Sequence, residues 1–226
     1  MKTKKKLILF CFILLILVSS CIPSLHPLYT KKDLILDNTI VGTWISKGSK
    51  KDQSVWIIKK YIDSHSPGPK DINPHDFGDK LYRLKNIQSG DTIGFDLYLI
   101  KLDKYFYFDF YPHDYQSVNE MRNMHLFPVH TFAKVNIEKN RIVIRQFDMD
   151  FFQNLIEQNK IKISHENSGR NIVLTAPTEE LQKFVIKYAD DEDAFDDPLA
   201  VNAKEGLAGK SLPSLSRFNL DRKSVV

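Results

Sequence analysis

The stretch that most limits what this chain can fold into is Tyr105–Tyr111, where Phe106, Phe108 and Phe110 alternate with Tyr105, Tyr107, Asp109 and Tyr111. Side chains of a β-strand point alternately to opposite faces, so one face here is wholly phenylalanine and the other is tyrosine with one carboxylate. A helical period of about 3.6 would scatter both sets around the axis. The phenylalanine face is predicted to enter a core, each buried ring contributing about 1.5–3 kcal/mol. The tyrosine face is predicted either to line a wet cavity or to meet a second layer with its hydroxyls paired.

Strand chemistry recurs on both sides of this segment. Ile40–Ser46, Ser54–Ile62, Lys80–Ile87, Thr92–Leu102, Val129–Glu138 and Arg141–Phe147 are β-branched, aromatic or alternating. Ser89-Gly90-Asp91, Asp103-Lys104 and Lys139-Asn140 separate them at hairpin length, and Asp63–Phe77 with Pro67, Gly68, Pro69 and Pro74 reads as a long loop. Connections this short favour antiparallel pairing, because parallel strands need long crossovers. Asp148 is placed to cap a helix through about Gln158 that carries Phe151, Phe152, Leu155 and Ile156 on one face. Thr178 is placed to cap a second, with Glu179 and Glu180 in its first turn and Leu181, Phe184, Val185 and Tyr188 on one side. Lys160–Ser164 and Asn171–Thr175 read as a closing hairpin between them. The expected fold class is α+β and β-rich, an antiparallel curved or barrel-like sheet with one or two packed helices. Its domain spans 39–198, preceded by a Pro23- and Pro27-containing tether over 21–38 and followed by a disordered tail over 199–226.

The N-terminus has the build of an export signal. Lys2, Lys4, Lys5 and Lys6 precede an unbroken apolar run of twelve residues, Leu7–Val18. That run is short of the ~20 residues a membrane-spanning helix needs, and small Ser19 and Ser20 follow it. Val18-Ser19-Ser20-Cys21 resembles the lipobox of bacterial lipoproteins, whereas Cys11 follows bulky Phe10. The resemblance implies that residues 1–20 are a signal peptide, cut before a Cys21 that carries diacylglycerol and an amide-linked acyl chain such as palmitate. It further implies a membrane partner through acylated Cys21 and residence in the bacterial cell envelope. Ile22, in place of an Asp, implies the periplasmic face of the outer membrane. Cys21–Tyr29 and Leu174–Ala189 are similar to the corresponding segments of an uncharacterised bacterial lipoprotein family, which has no assigned activity. Loss of residues 1–20 removes four lysines and takes the formal charge from +4 to zero. A neutral chain has no field with which to neutralise phosphates, which argues against a nucleic-acid partner. The same resemblance implies that Cys11 leaves with the signal and that Cys21 carries lipid, which would exclude disulfides, a thiol nucleophile and a Cys-ligated zinc together.

Gly42-Thr43-Trp44 on an early strand resembles the Gly-x-Trp element of lipocalins, and Asp114-Tyr115 part of another of their elements, although His113 replaces the usual Thr and Pro112 precedes it. The likeness implies a barrel carrying an apolar ligand lined by Trp44, Tyr105, Tyr107, Tyr111 and Arg145, with Arg145 stacked on Trp44. The simpler reading is a core tryptophan that begins a sheet. Asp109, His113, His125 and His130 are suitable donors for zinc or iron. However, the spacing of two histidines on one helical face is absent, and 125 and 130 have opposite strand parity around Pro128. Asp96 and Asp109 lie on successive strands and could act as an acid–base pair, or could pair with Arg83 and Arg145. Gly206–Ser211 has Lys204 where a phosphate loop needs its first glycine, and Asp190–Asp193 with Asp196 and Asp197 lacks calcium-loop spacing. No Gly-x-Ser-x-Gly elbow occurs. The functional expectation is a membrane-anchored, non-enzymatic binding or envelope-associated module without a cofactor, its partner an apolar ligand or an envelope protein. A lipocalin-like carrier and a metal-dependent hydrolase are the alternatives.

Overall fold

The computed structural model describes residues 21–46, 53–61, 80–113, 120–123, 125–168 and 171–204. The signal-like run 1–20, the loop 63–77, Asp114-Tyr115 and Gly206–Ser211 lie outside the described residues. The strands are β1 (Pro23–Ser24), β2 (Gly42–Ser46), β3 (Ser54–Lys60), β4 (Leu81–Gln88), β5 (Asp91–Leu102) and β6 (Tyr105–His113). They continue with β7 (His130–Glu138), β8 (Arg141–Gln146), β9 (His165–Ser168), β10 (Asn171–Leu174) and β11 (Leu199–Ala203). A helical turn α1 (Glu120–Asn123) precedes the two longer helices α2 (Met149–Glu157) and α3 (Thr178–Lys187).

Eight strands close on themselves in the order β2-β3-β4-β5-β6-β7-β8-β11, each antiparallel to both neighbours. This is an up-and-down barrel, a closure that removes its free sheet edges. The predicted barrel-like antiparallel sheet with packed helices is therefore the fold. Ser89 and Gly90 turn β4 into β5 with φ of 53° and 92°, and Asp103 turns β5 into β6 with φ of 55°. Left-handed residues at these positions match the right-handed twist of the paired strands.

The barrel is filled from within. Trp44, Trp56, Ile58, Tyr82, Leu84, Leu97, Leu99, Phe108, Phe110, Ile142, Ile144 and Val201 form its interior core. Phe110 meets Trp56, Phe95 and Phe108 edge-on at ring separations of 6.0, 6.1 and 5.9 Å, the offset arrangement aromatic quadrupoles prefer. Gly42 has φ of 153°, a value costly for any residue with a Cβ. It starts the strand that turns Trp44 inward, where the indole N–H donates to the Ile40 carbonyl at 2.8 Å.

A second core lies outside the wall. Ile22, Leu28, Tyr29, Leu34, Tyr98, Tyr107, Phe132, Phe147, Phe152, Leu174, Leu181 and Phe184 belong to it. Strand β6 is thus buried on both faces: its phenylalanines fill the barrel and its tyrosines meet the layer of α3 and the N-terminal segment. Of the two outcomes open to the tyrosine face, the structure has the second layer.

Four expectations require correction. Residues 21–38 are no free tether. Ile22 is 3% exposed, β1 pairs with both β7 and β10, and Asp33–Ile35 extends the ladder of β5 beyond β4. Both prolines fit because neither needs a ladder N–H, and the Pro27 carbonyl accepts from the Thr178 hydroxyl at 2.8 Å. Secondly, the tail read from 199 onward begins with β11, which closes the barrel between β2 and β8. Five residues with two strongly apolar side chains, Leu199 and Val201, carry too little pattern to register as a strand alone. Thirdly, α3 is capped by Pro177 without a side-chain bond, because the Thr178 hydroxyl is engaged with Pro27. Finally, the first strand of the closing hairpin is His165–Ser168 rather than Lys160–Ser164. The cap at Asp148 is as expected, its Oδ1 accepting from the Phe151 N–H at 2.6 Å.

Candidate functional site

The polar residues of β4 to β7 that face outward form two groups on one face of the sheet, Asp109 and His130 beneath the N-terminal segment and Arg83, Asp96 and His113 beyond it. Register sets this up. Arg83 stands opposite Asp96, Asp96 opposite Tyr111, and Tyr98 opposite Asp109. Directly paired residues of antiparallel strands share a face, so all of these side chains leave the same side of the sheet.

Asp109 is the centre of the first group and is 0% exposed. Its Oδ2 accepts the Leu28 N–H at 2.8 Å, and its Oδ1 lies 2.7 Å from Nδ1 of His130, which is 4% exposed. The Nδ1–Oδ1 contact is a buried hydrogen bond between the two side chains. The Tyr111 ring packs 4.6 Å from the imidazole, and Tyr29 packs 4.4 Å from Tyr98. Burial first, then the nearby Asp109 charge, push the Tyr29 hydroxyl far above the ordinary tyrosine range and keep it protonated.

Toward the barrel end, Arg83 forms an ion pair with Asp96 and donates to His113 Nδ1 at 2.9 Å. The same guanidinium lies 4.8 Å over the Tyr61 ring, a cation–π placement. Asp96 therefore has the cross-sheet arginine partner, whereas Asp109 has a histidine and a backbone N–H. The two carboxylates hold separate partners and do not form one acid–base pair.

The four residues considered as metal donors divide the same way. Asp109 and His130 are joined, His113 faces Arg83 and Asp96, and His125 is exposed. Among the described residues, no group of three or more His, Cys, Asp or Glu is arranged to hold a metal ion. The five residues considered as a ligand lining are also split by the wall. Trp44 is inside, while Tyr105, Tyr107, Tyr111 and Arg145 are outside. Tyr107 donates to the Val185 carbonyl at 3.0 Å, and burial raises its pKa. Tyr105 donates to Asp190, and Arg145 pairs with Glu192 at 2.5 Å. Arg145 therefore does not stack on Trp44. The acidic run 190–193 meets these cations and hydroxyls, which is its structural role.

Leu28, Tyr29 and Gln182 belong to the site and were not legible as such. Gln182 Nε2 donates to the Leu28 carbonyl at 2.9 Å and to Asp33 Oδ2 at 2.8 Å. The available signal was composition: Ile22, Leu25, Leu28, Tyr29 and Leu34 make residues 22–34 too apolar for a solvated linker. No family model, curated protein or solved structure matches the chain.

As chemistry, the Asp109 group is a clasp. A fully desolvated carboxylate joined by charge-assisted hydrogen bonds to an imidazole and to a main-chain N–H fixes the position of the segment that supplies that N–H.

Proposed function

We propose that this chain is a non-enzymatic, lipid-anchored module of the bacterial cell envelope, acylated at Cys21 and held at the periplasmic face of the outer membrane. Its barrel acts through its outer surface on an envelope partner. The observation that carries this reading is where burial begins. Ile22 is almost fully buried and Pro23–Ser24 is already sheet, while Cys21 is at intermediate exposure beside them. An acylated Cys21 would thus join the bilayer directly to the folded body. Burial pushes the Cys21 thiol pKa up, which makes an exposed reactive thiol there a poor alternative role.

The interior supports a binding role for the surface over one for the lumen. An eight-stranded barrel has room for its own side chains or for one small ligand. Here Trp44, Trp56, Phe108 and Phe110 point inward together. The buried acid–imidazole pair holds main chain, which supports a structural over a hydrolytic role. No helix among the described residues is long and apolar enough to cross a membrane.

The test is the intact mass of the protein extracted from its host's membranes after growth with labelled palmitate. The expected species starts at Cys21 and carries the label. A Cys21→Ser variant is expected to stay uncut and unlabelled. A labelled or cut Cys21→Ser chain would remove the anchor from this reading.

A further inference from the structure

We propose that residues 22–37 are a retractable tether: docked, they hold Cys21 against the barrel wall, and released as one unit, they let the barrel stand off from its anchor. The consequence for the bilayer rests on acylation of Cys21; the release itself does not.

The separation of the two cores carries the argument. None of the eight barrel strands requires β1 for closure. Ile22, Leu28, Tyr29 and Leu34 all belong to the outer core, and the fully buried interior residues come from Ile40 onward. Ile35 packs, partly buried, against the interior core, so release of the segment exposes the outer core and takes one peripheral contact from an interior whose fully buried residues stay in place. Elements that share few buried contacts open independently of one another.

The attachments are discrete and can be counted along the segment. Leu25 N–H donates to the Leu174 carbonyl at 2.9 Å and Leu28 N–H to Asp109 at 2.8 Å. Gln182 and Thr178 of α3 hold the carbonyls of Leu28 and Pro27. Ile35 N–H donates to the Leu99 carbonyl at 3.0 Å, and Lys101 N–H to that of Asp33 at 2.9 Å. The Lys80 ammonium donates to the Leu34 carbonyl, and the Tyr82 hydroxyl accepts from the Asp37 N–H at 2.7 Å. Beyond Asp37 the chain enters the barrel. Asp109 is the catch because it is the one fully buried carboxyl among these partners. Sixteen residues at about 3.3 Å each give the released segment a reach of roughly 50 Å, against essentially none when docked.

Hydrogen exchange across a series of low urea concentrations tests this on the full chain extracted in detergent. In the unaltered protein, the amides of Leu25, Leu28 and Ile35 are expected to share one opening, with a smaller urea dependence than interior amides of β3 to β5. Leu84→Ala weakens the interior, which is present in both the docked and the released form. It should speed exchange of the β3–β5 amides by about 30-fold or more and leave the segment's amides within about threefold. Gln182→Ala should speed the segment's amides about tenfold or more, the loss of the net contribution of its two hydrogen bonds to Leu28 and Asp33. Equal urea dependence for both sets in the unaltered protein, or a Leu84→Ala effect that moves both together, would overturn the tether. Neither result depends on lipid at Cys21, so this failure and that of the anchor are distinguishable.

Discussion

Asp109 is buried on every side, yet its type in the sequence says nothing about its partners. Alternation placed it on the tyrosine face of a strand, and that was correct. Its partners Leu28 and His130 lie 81 and 21 residues away, and no periodicity reports contacts over such separations. Asp109→Ala leaves two buried donors without an acceptor, at about 1–3 kcal/mol for each. A loss of about 2–6 kcal/mol in urea unfolding is expected, with Asp109→Asn losing less because its amide oxygen still accepts one of them. Asp33 gives a pH-dependent counterpart. Burial raises its pKa, but hydrogen bonds from the Thr30 hydroxyl, the Thr30 N–H and Gln182 outweigh that and hold it below the ordinary 3.8. A pKa lower in the folded than in the unfolded state contributes stability that is complete well above 3.8 and is lost as pH falls through the folded value. Asp33→Ala should therefore be less stable than the unaltered protein at pH 7, and the gap in urea midpoint should narrow between pH 5 and pH 2. A gap that stays constant over that range would remove Asp33 as its source.

At the scale of elements, legibility followed length and pattern. Strand β6, its hairpin partner β5 and the neighbouring β7 were readable because seven to twelve alternating residues leave one consistent assignment. Helix α2 was readable because Asp148 caps it, and Asp148→Ala should cost about 1 kcal/mol, seen as a lower unfolding midpoint. Strands β1 and β11 were not readable, since two and five residues carry no period and owe their conformation to the neighbours that flank them. For β11 the consequence is large. Val201 is wholly buried, and the strand stands between β2 and β8, so a chain ending at Pro198 leaves the edges of β2 and β8 unpaired. Such edges template association. That truncated chain is expected to lose cooperative unfolding and to aggregate, as light scattering and a thermal melt would show. A soluble, cooperatively melting product would mean that the barrel closes without its last strand.

For the whole molecule, the question is which of its two cores the protein uses. A carrier needs interior space, and the phenylalanine face of β6 fills it. Phe108 is fully buried and packs edge-on against Phe110. The outer core, by contrast, is assembled from segments distant in sequence and is closed by hydrogen bonds between the N-terminal segment, the barrel wall and α3. This division makes the interior the stable scaffold and the outer layer the adjustable part, as expected where motion belongs to the less stable units of a fold. Phe108→Ala separates the two uses of the barrel. It should cost about 3–5 kcal/mol and leave an apolar cavity of the kind that stays dry and admits small hydrocarbons. Native mass spectrometry and thermal melts with benzene are expected to show binding and a raised midpoint for Phe108→Ala and neither for the unaltered chain. If the unaltered chain is stabilised by benzene or retains an apolar molecule through purification, the lumen already has room for a ligand. The carrier reading would then displace the surface one.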